Sequence, residues 1–191
     1  MKIFFFGGTF DPPHNGHQLI IDYSIPLCDK FIIIPTKIAP DKRNLPLANN
    51  THRVNMLRFI TNDKKIKIND YEMKSNRINY TYITVMHLKE RYKDCSLHMI
   101  IGADQLLNLH KWKKYKQIMK EVNIICFNRN TKLKLLNYNL LKSKKIQFIT
   151  NFNIDISSSD IRKNFYNETD YFLNRMNAKV IKYIKDNKLY A

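Results

Sequence analysis

Lys2-Ile3-Phe4-Phe5-Phe6-Gly7-Gly8-Thr9-Phe10-Asp11-Pro12-Pro13-His14-Asn15-Gly16-His17 reads as an apolar strand, a glycine turn and the first turn of a helix. Gly7 and Gly8, at the end of a buried strand, are predicted to let the backbone turn sharply and approach a ligand where a Cβ would collide. His14 and His17 fall where the helix Gly16-His17-Gln18-Leu19-Ile20-Ile21 begins, so both imidazoles are expected beside its unpaired N–H groups. Such a place suits a phosphate. Taken singly, each part has a plainer reading: a Gly-Gly pair is an ordinary turn, and paired histidines occur on surfaces and in cores. A zinc site wants a third His or carboxylate. No further His, Cys or Glu cluster stands close by, and Pro12 and Pro13 stiffen the loop between Asp11 and His14. No metal ligand set is therefore assigned.

Strand and helix signals alternate outward from this stretch, predicting an α/β fold with an open parallel sheet covered by helices on both faces. Strands are expected at Lys2 to Phe6, Phe31 to Ile34, Ile66 to Ile68, Leu97 to Ile101, Val122 to Phe127 and Ile146 to Thr150. Helices are expected through Tyr23 and from Thr51, the second with Val54, Met56, Leu57 and Ile60 inward. Two more are expected over Thr81 to Tyr92, with Tyr82, Val85, Met86 and Leu88 as the apolar stripe, and over Ala178 to Tyr190. Residues 131 to 145 read as a solvated helix, and Thr36 to Asn50 as a polar loop broken by Pro40 and Pro46.

The 191 residues suit one domain spanning 1–191, and 44% hydrophobic residues suit a globular core. No apolar run reaches bilayer length, and Gly7, Gly8 and Asp11 end the opening apolar stretch too soon for a signal peptide, which predicts a soluble cytoplasmic protein without a membrane partner. Cys28, Cys95 and Cys126 form no C-x-x-C pair, so neither a disulfide framework nor a zinc knuckle is expected. The net charge of +17 raises the alternative of a basic nucleic-acid-binding module. The cations are scattered from Lys2 to Lys188, however, and accompany a general abundance of Asn, Ile and Tyr with only 4 glycines. The charge is better suited to drawing in anionic nucleotides than to a dedicated nucleic-acid face.

Gly7 to His17 resembles the nucleotidyltransferase signature G-x-F-D-x-x-H-x-G-H, in the G-G-T-F-D-P-x-H-x-G-H form of the bacterial nicotinate-mononucleotide adenylyltransferases. Ile156-Ser157-Ser158-Ser159-Asp160-Ile161-Arg162 resembles the family's distal I-S-[SA]-[ST]-x-I-R motif. The resemblance implies a Rossmann-like nucleotidyltransferase fold and transfer of an adenylyl group from ATP to nicotinate mononucleotide, with magnesium carried by the ATP phosphates. It implies catalytic roles for His14 and His17 beside the α-phosphate, with Arg162 completing a polyphosphate cradle. Gly7, Gly8, Thr9, Phe10, Gly16, Gly102, Asp104, Ser157, Ser158 and Ser159 are then expected to bind ATP. Ser157 and Asp160 also have capping-box spacing, so these serines equally read as a helix cap.

Acceptor recognition is expected from Lys42, Tyr80, Thr81 and Trp112. Asn79-Tyr80-Thr81-Tyr82-Ile83-Thr84 resembles the S-Y-T-Y-x-T element, and Trp112 falls where the family stacks an indole on the pyridine ring. The plainer reading of Trp112 is core, against which stand its neighbours Lys111, Lys113 and Lys114. Two departures stand out: Ala39-Pro40-Asp41-Lys42 replaces the family's P-P-H-K, and Asn130 follows Arg129 where proline is usual. A related adenylyl- or cytidylyltransferase with another phosphate acceptor is the alternative within the superfamily, and a homo-oligomer is left open.

Overall fold

The computed structural model describes residues 1–38, 40, 45–75, 78–127, 143–150, 152, 156–167, 171 and 174–191. Among the described residues six strands form one parallel sheet: β1 (Lys2–Gly8), β2 (Lys30–Pro35), β3 (Ile66–Ile68), β4 (Ser96–Gly102), β5 (Val122–Phe127) and β6 (Ile146–Ile149). Their order is β3-β2-β1-β4-β5-β6, all neighbours parallel. Between them run α1 (Asn15–Ser24), α2 (Asn50–Arg58), α3 (Thr81–Arg91), α4 (Ala103–Asn108) and α5 (Tyr115–Glu121), and α6 (Ser158–Asn164) and α7 (Ala178–Asp186) follow β6.

The period of two along each strand divides the apolar side chains between two cores. Phe4, Phe6, Phe31, Ile33, Ile125 and Phe127 face the helices α1, α2, α6 and α7. Ile3, Phe5, Ile32, Ile34, Met99 and Ile124 face α3, α4 and α5. Because both faces are covered, the central strands are near-continuous apolar runs such as Phe31 to Ile34. The chain winds outward from β1 through β2 to β3, then returns to lay β4 on the other side of β1. That reversal opens a crevice beyond the carboxyl ends of β1 and β4, where ligands of open α/β sheets bind.

Several expectations are corrected. The inner side of α2 carries Arg53, Met56 and Leu57, while Val54 is only half-buried. Arg53 displaces it because its guanidinium finds three acceptors indoors. On α3, Met86 is exposed and Thr84 is buried, since the Thr84 hydroxyl has a partner in Glu72. The helix over Ala178 to Tyr190 ends at Asp186, and Lys188 and Tyr190 take left-handed backbone at φ 48° and 66°, which no helix can continue. Most of residues 131 to 145, where a solvated helix is expected, lies outside the described residues, as do Lys42 and Arg129-Asn130.

Candidate active site

The turn after β1 is not made by its glycines. Gly7 and Gly8 are the last two residues of the strand, and neither has positive φ. The left-handed residue is Phe10, at φ 50°, and its ring turns back under the loop into the core. A Cβ on Gly8 would stand 3.0 Å from the tip of that ring, so a side chain there would press on the buried Phe10. The Phe10 ring then packs edge-on against Phe6 and His17, with centroids 5.4 and 4.9 Å away.

His14 and His17 form a reciprocal cap on α1. Gly16 N–H donates to His14 Nδ1 at 3.1 Å, and His14 N–H donates to His17 Nδ1 at 3.2 Å. A backbone N–H can only donate, so both Nδ1 atoms are acceptors, and Nε2 carries the proton on each neutral ring. The rings lie 3.8 Å apart between centroids at 35°. His14 is buried, whereas His17 is half-buried and reaches the cavity described below.

Asp11 holds the loop in place. Its carboxylate accepts from Leu47 N–H at 2.8 Å, Ala48 N–H at 3.2 Å and Tyr190 Oη–H at 2.7 Å. Beneath the loop, Arg53 is 0% exposed and donates through Nη1 to the carbonyls of Thr9 and Thr36, at 2.6 and 2.7 Å, and through Nη2 to Asn50 Oδ1 at 2.7 Å. Its Nε is a buried donor without a partner among the described residues. Burial pulls the Arg53 guanidinium below its usual pKa, and the Asp11 carboxylate opposes that fall. A helical apolar stripe conceals this residue, because its acceptors are backbone carbonyls from two distant loops.

The distal motif docks on the same loop. Ser157 caps α6, accepting from Asp160 N–H at 3.1 Å and donating to Asp160 Oδ2 at 2.6 Å. Ser158 Oγ donates to the Pro12 carbonyl at 2.9 Å. Arg162 donates to the Asp11 carbonyl at 2.6 Å and to Ser159 Oγ at 3.2 Å. These bonds join residues some 150 positions apart in sequence, with separations of 146 and 151. Arg162 is thereby fixed beside the loop that carries both histidines.

A cavity of about 910 Å³ opens over the ends of β1, β2 and β4. Gly7, Gly8, Thr9 and His17 form one wall, Gly102 and Met99 to Ile101 another, and Tyr80, Thr81 and Trp112 a third. A Cβ on Gly102 would meet nothing within 4 Å, so its glycine keeps this wall low rather than relieving a clash. Lys111 and Lys113 stand at the same mouth, with Lys113 Nζ 4.5 Å from the centre of the Tyr80 ring. Phe10, His14 and Gly16 are buried and outside the cavity lining, and Asp104, Ser157, Ser158, Ser159 and Arg162 also lie outside it. Glu72 also lines the cavity although it is almost wholly buried, accepting from the Thr84 hydroxyl at 2.6 Å. Burial pushes its carboxyl above the usual range, against the hydroxyl bonds from Thr84 and Thr36. Arg53, Glu72 and Tyr190 are the site residues that sequence patterning does not reveal.

A doubly covered parallel sheet, a cavity at its switch point and a capped histidine pair define a nucleotide-binding α/β transferase. Residues 5–164 match the model of the cytidylyltransferase-like family. The chain is 36% identical over 195 residues to the nicotinate-nucleotide adenylyltransferase of Bacillus subtilis, covering 99% of this chain and 98% of that one. It is 35% identical over 193 residues to a probable nicotinate-nucleotide adenylyltransferase of Leptospira interrogans, covering 97% and 95%. Its fold matches that of a Plasmodium falciparum nicotinic acid mononucleotide adenylyltransferase complexed with NaAD, with a TM-score of 0.80, 24% identity and coverage of 99% and 97%. The chain belongs to the nicotinate-nucleotide adenylyltransferase family within the cytidylyltransferase-like group.

Proposed function

We propose that the protein transfers the adenylyl group of ATP to nicotinate mononucleotide, releasing pyrophosphate, as a cytoplasmic step of NAD biosynthesis. One observation carries this reading: the phosphate loop (Gly8, Thr9, His17) and the acceptor set (Tyr80, Thr81, Trp112) wall the same cavity. A phosphate oxygen of nicotinate mononucleotide attacks the α-phosphorus of ATP. The bond to the β-phosphate oxygen breaks, and pyrophosphate leaves with the electron pair. The attacking oxygen is anionic at neutral pH, so no general base is needed. Catalysis comes from alignment and from hydrogen bonds that strengthen as charge grows on the α-phosphoryl oxygens and the leaving group.

The capped histidines suit that task, because Nδ1 is held on the backbone and the proton is kept on Nε2. Arg162 uses its donors on Asp11 and Ser159 to stand beside the loop, and its guanidinium and the α6 serines are assigned to the β- and γ-phosphates. Tyr80, Thr81 and Trp112, with Lys42, are assigned to the nicotinate nucleotide, the indole against the pyridine ring. Magnesium supplies neutralisation of the phosphate charge and travels with ATP. Asp11 is occupied by three protein donors, and Glu72, the carboxylate in the cavity lining, accepts from the Thr84 hydroxyl. Magnesium keeps its waters and needs few protein ligands, which suits carriage by the phosphates.

The test is pyrophosphate release with magnesium and ATP, run in parallel with nicotinate mononucleotide, its amide analogue and phosphopantetheine. Release with nicotinate mononucleotide is expected, and chelation of magnesium should abolish it reversibly. Release only with another acceptor overturns the substrate assignment. Tight, salt-sensitive nucleic-acid binding without ATP turnover overturns the enzyme reading.

A further inference from the structure

The two residues that bracket the proline turn and His14 are both tied to residues 174–190. On one side, Tyr190 Oη–H donates to Asp11 Oδ1 at 2.7 Å. On the other, Asn15 N–H donates to the Arg175 carbonyl at 2.9 Å, and Asn15 Nδ2 donates to the Asn174 carbonyl at 3.1 Å. Tyr190 is itself held firmly. Val180, Ile181 and Ile184 seat α7 in the core, Leu189 N–H returns to the Ile184 carbonyl at 3.0 Å, and Tyr166 Oη–H donates to the Leu189 carbonyl at 3.1 Å. The left-handed φ of 66° at Tyr190 is unfavourable for a residue with a Cβ, and it accompanies a ring turned inward toward Asp11.

We propose that Tyr190 is a positioning residue for adenylyl transfer: through Asp11 its hydroxyl sets the place of His14 and His17 relative to Arg162. The proposal deepens the adenylyltransferase reading and rests on it. Asp11 is the junction, since its carbonyl receives Arg162 while its carboxylate receives Tyr190. Without the tyrosine hydroxyl, Oδ1 keeps, among the described residues, the longer bond from Ala48 N–H at 3.2 Å, and the Asp11 side of the loop loses its tie to the segment after α7 while the Asn15 side keeps its bonds to Asn174 and Arg175. Burial and the neighbouring Asp11 charge push the Tyr190 phenol well above its usual range, which keeps the hydroxyl a donor at any working pH. Displacing an imidazole by a fraction of an ångström lowers the chemical step without altering how substrates first bind.

Tyr190→Phe removes one hydroxyl and should lower kcat about tenfold, with KM for either nucleotide changed less than about twofold. Tyr183→Phe is the control. Its hydroxyl ties α7 to α2 through His52 and Asn55, without touching the loop, and its loss should leave kcat unchanged. Asp11→Asn weakens the same bond from the other end. Its loss in kcat and that of Tyr190→Phe should combine to less than their product. In parallel, ¹⁵N-histidine spectra of the substrate-free protein should show the His14 and His17 ring nitrogens shifted in Tyr190→Phe and unshifted in Tyr183→Phe. Normal kcat in Tyr190→Phe, equal losses in both tyrosine variants, or unmoved histidine signals would overturn the proposal. A native protein inactive toward nicotinate mononucleotide would sink the substrate assignment instead, and the histidine spectra would still decide the positioning role.

Discussion

Because His14 and His17 each place Nδ1 on a backbone N–H, replacing either removes a helix cap and an imidazole together. His17→Ala should lower turnover on the order of a hundredfold or more, and should also cost about 1 kcal/mol of stability as the His14 N–H loses its acceptor. His14→Asn separates the two effects, since asparagine is itself a favoured N-cap. Its melting temperature should stay close to that of the native protein while turnover falls with that of His17→Ala. Equal stability losses in both variants would mean that the substituted amide side chain has not taken over the cap. Glu72 offers a second test. Its folded-state pKa is raised above the usual 4.5 by burial, so the folded protein holds this proton more tightly than the unfolded chain. Stability contributed by the protonated form is present below the ordinary value and is lost as pH rises toward the raised one. Glu72→Gln should remove that slope, and urea midpoints of the two proteins from about pH 4 to about pH 8 should diverge in favour of the variant as pH rises.

At the level of elements, the strands were legible because a strand buried on both faces is a run of large apolar residues. Lys2 to Phe6, Phe31 to Ile34 and Val122 to Phe127 have no competing helical period. The caps at His14 and Ser157 lie at helix starts, where a cap is a local feature that sequence can carry, whereas the turn after β1 is made by Phe10 and not, as the sequence suggests, by Gly7 and Gly8. Arg53 was not legible. A cation on an amphipathic helix reads as solvent-facing, and only the assembled fold reveals that the carbonyls of Thr9 and Thr36 converge on it from separate loops. The same holds for Phe10, whose ring turns inward because the backbone there is left-handed. Arg53→Ala should therefore cost more than a surface substitution, about 3 kcal/mol, by leaving two carbonyls and the Asp11 charge without their partner. Arg53→Lys should recover little, because a single ammonium cannot span acceptors on two loops and a helix. Denaturant midpoints order the three proteins. A lysine variant as stable as the native protein would show that charge alone, not the planar fork, holds the loop.

Across the whole molecule, the net charge of +17 is a property of the surface that the fold does not require. The exposed ion pairs Lys74–Asp70 and Lys182–Asp186 lie within single helical or turn segments and contribute little to stability. What remains is a positive field around a cavity whose mouth carries Lys111 and Lys113. Such a field raises the encounter rate with polyanionic nucleotides and decays over a Debye length of about 10 Å at 0.1 M salt. It also strains the compact state through self-repulsion. Salt should therefore act in opposite directions on two measurements: kcat/KM for both nucleotides should fall steadily with sodium chloride, while the melting temperature should hold or rise as repulsion is screened. The loss should appear in KM, with kcat little changed, because a long-range field acts on encounter while the proposed chemical step depends on short-range hydrogen bonds. If kcat/KM stayed flat from low to high salt, the excess lysines would be a feature of composition with no part in substrate capture. Trp112, Thr81 and the phosphate loop would then account for binding by themselves.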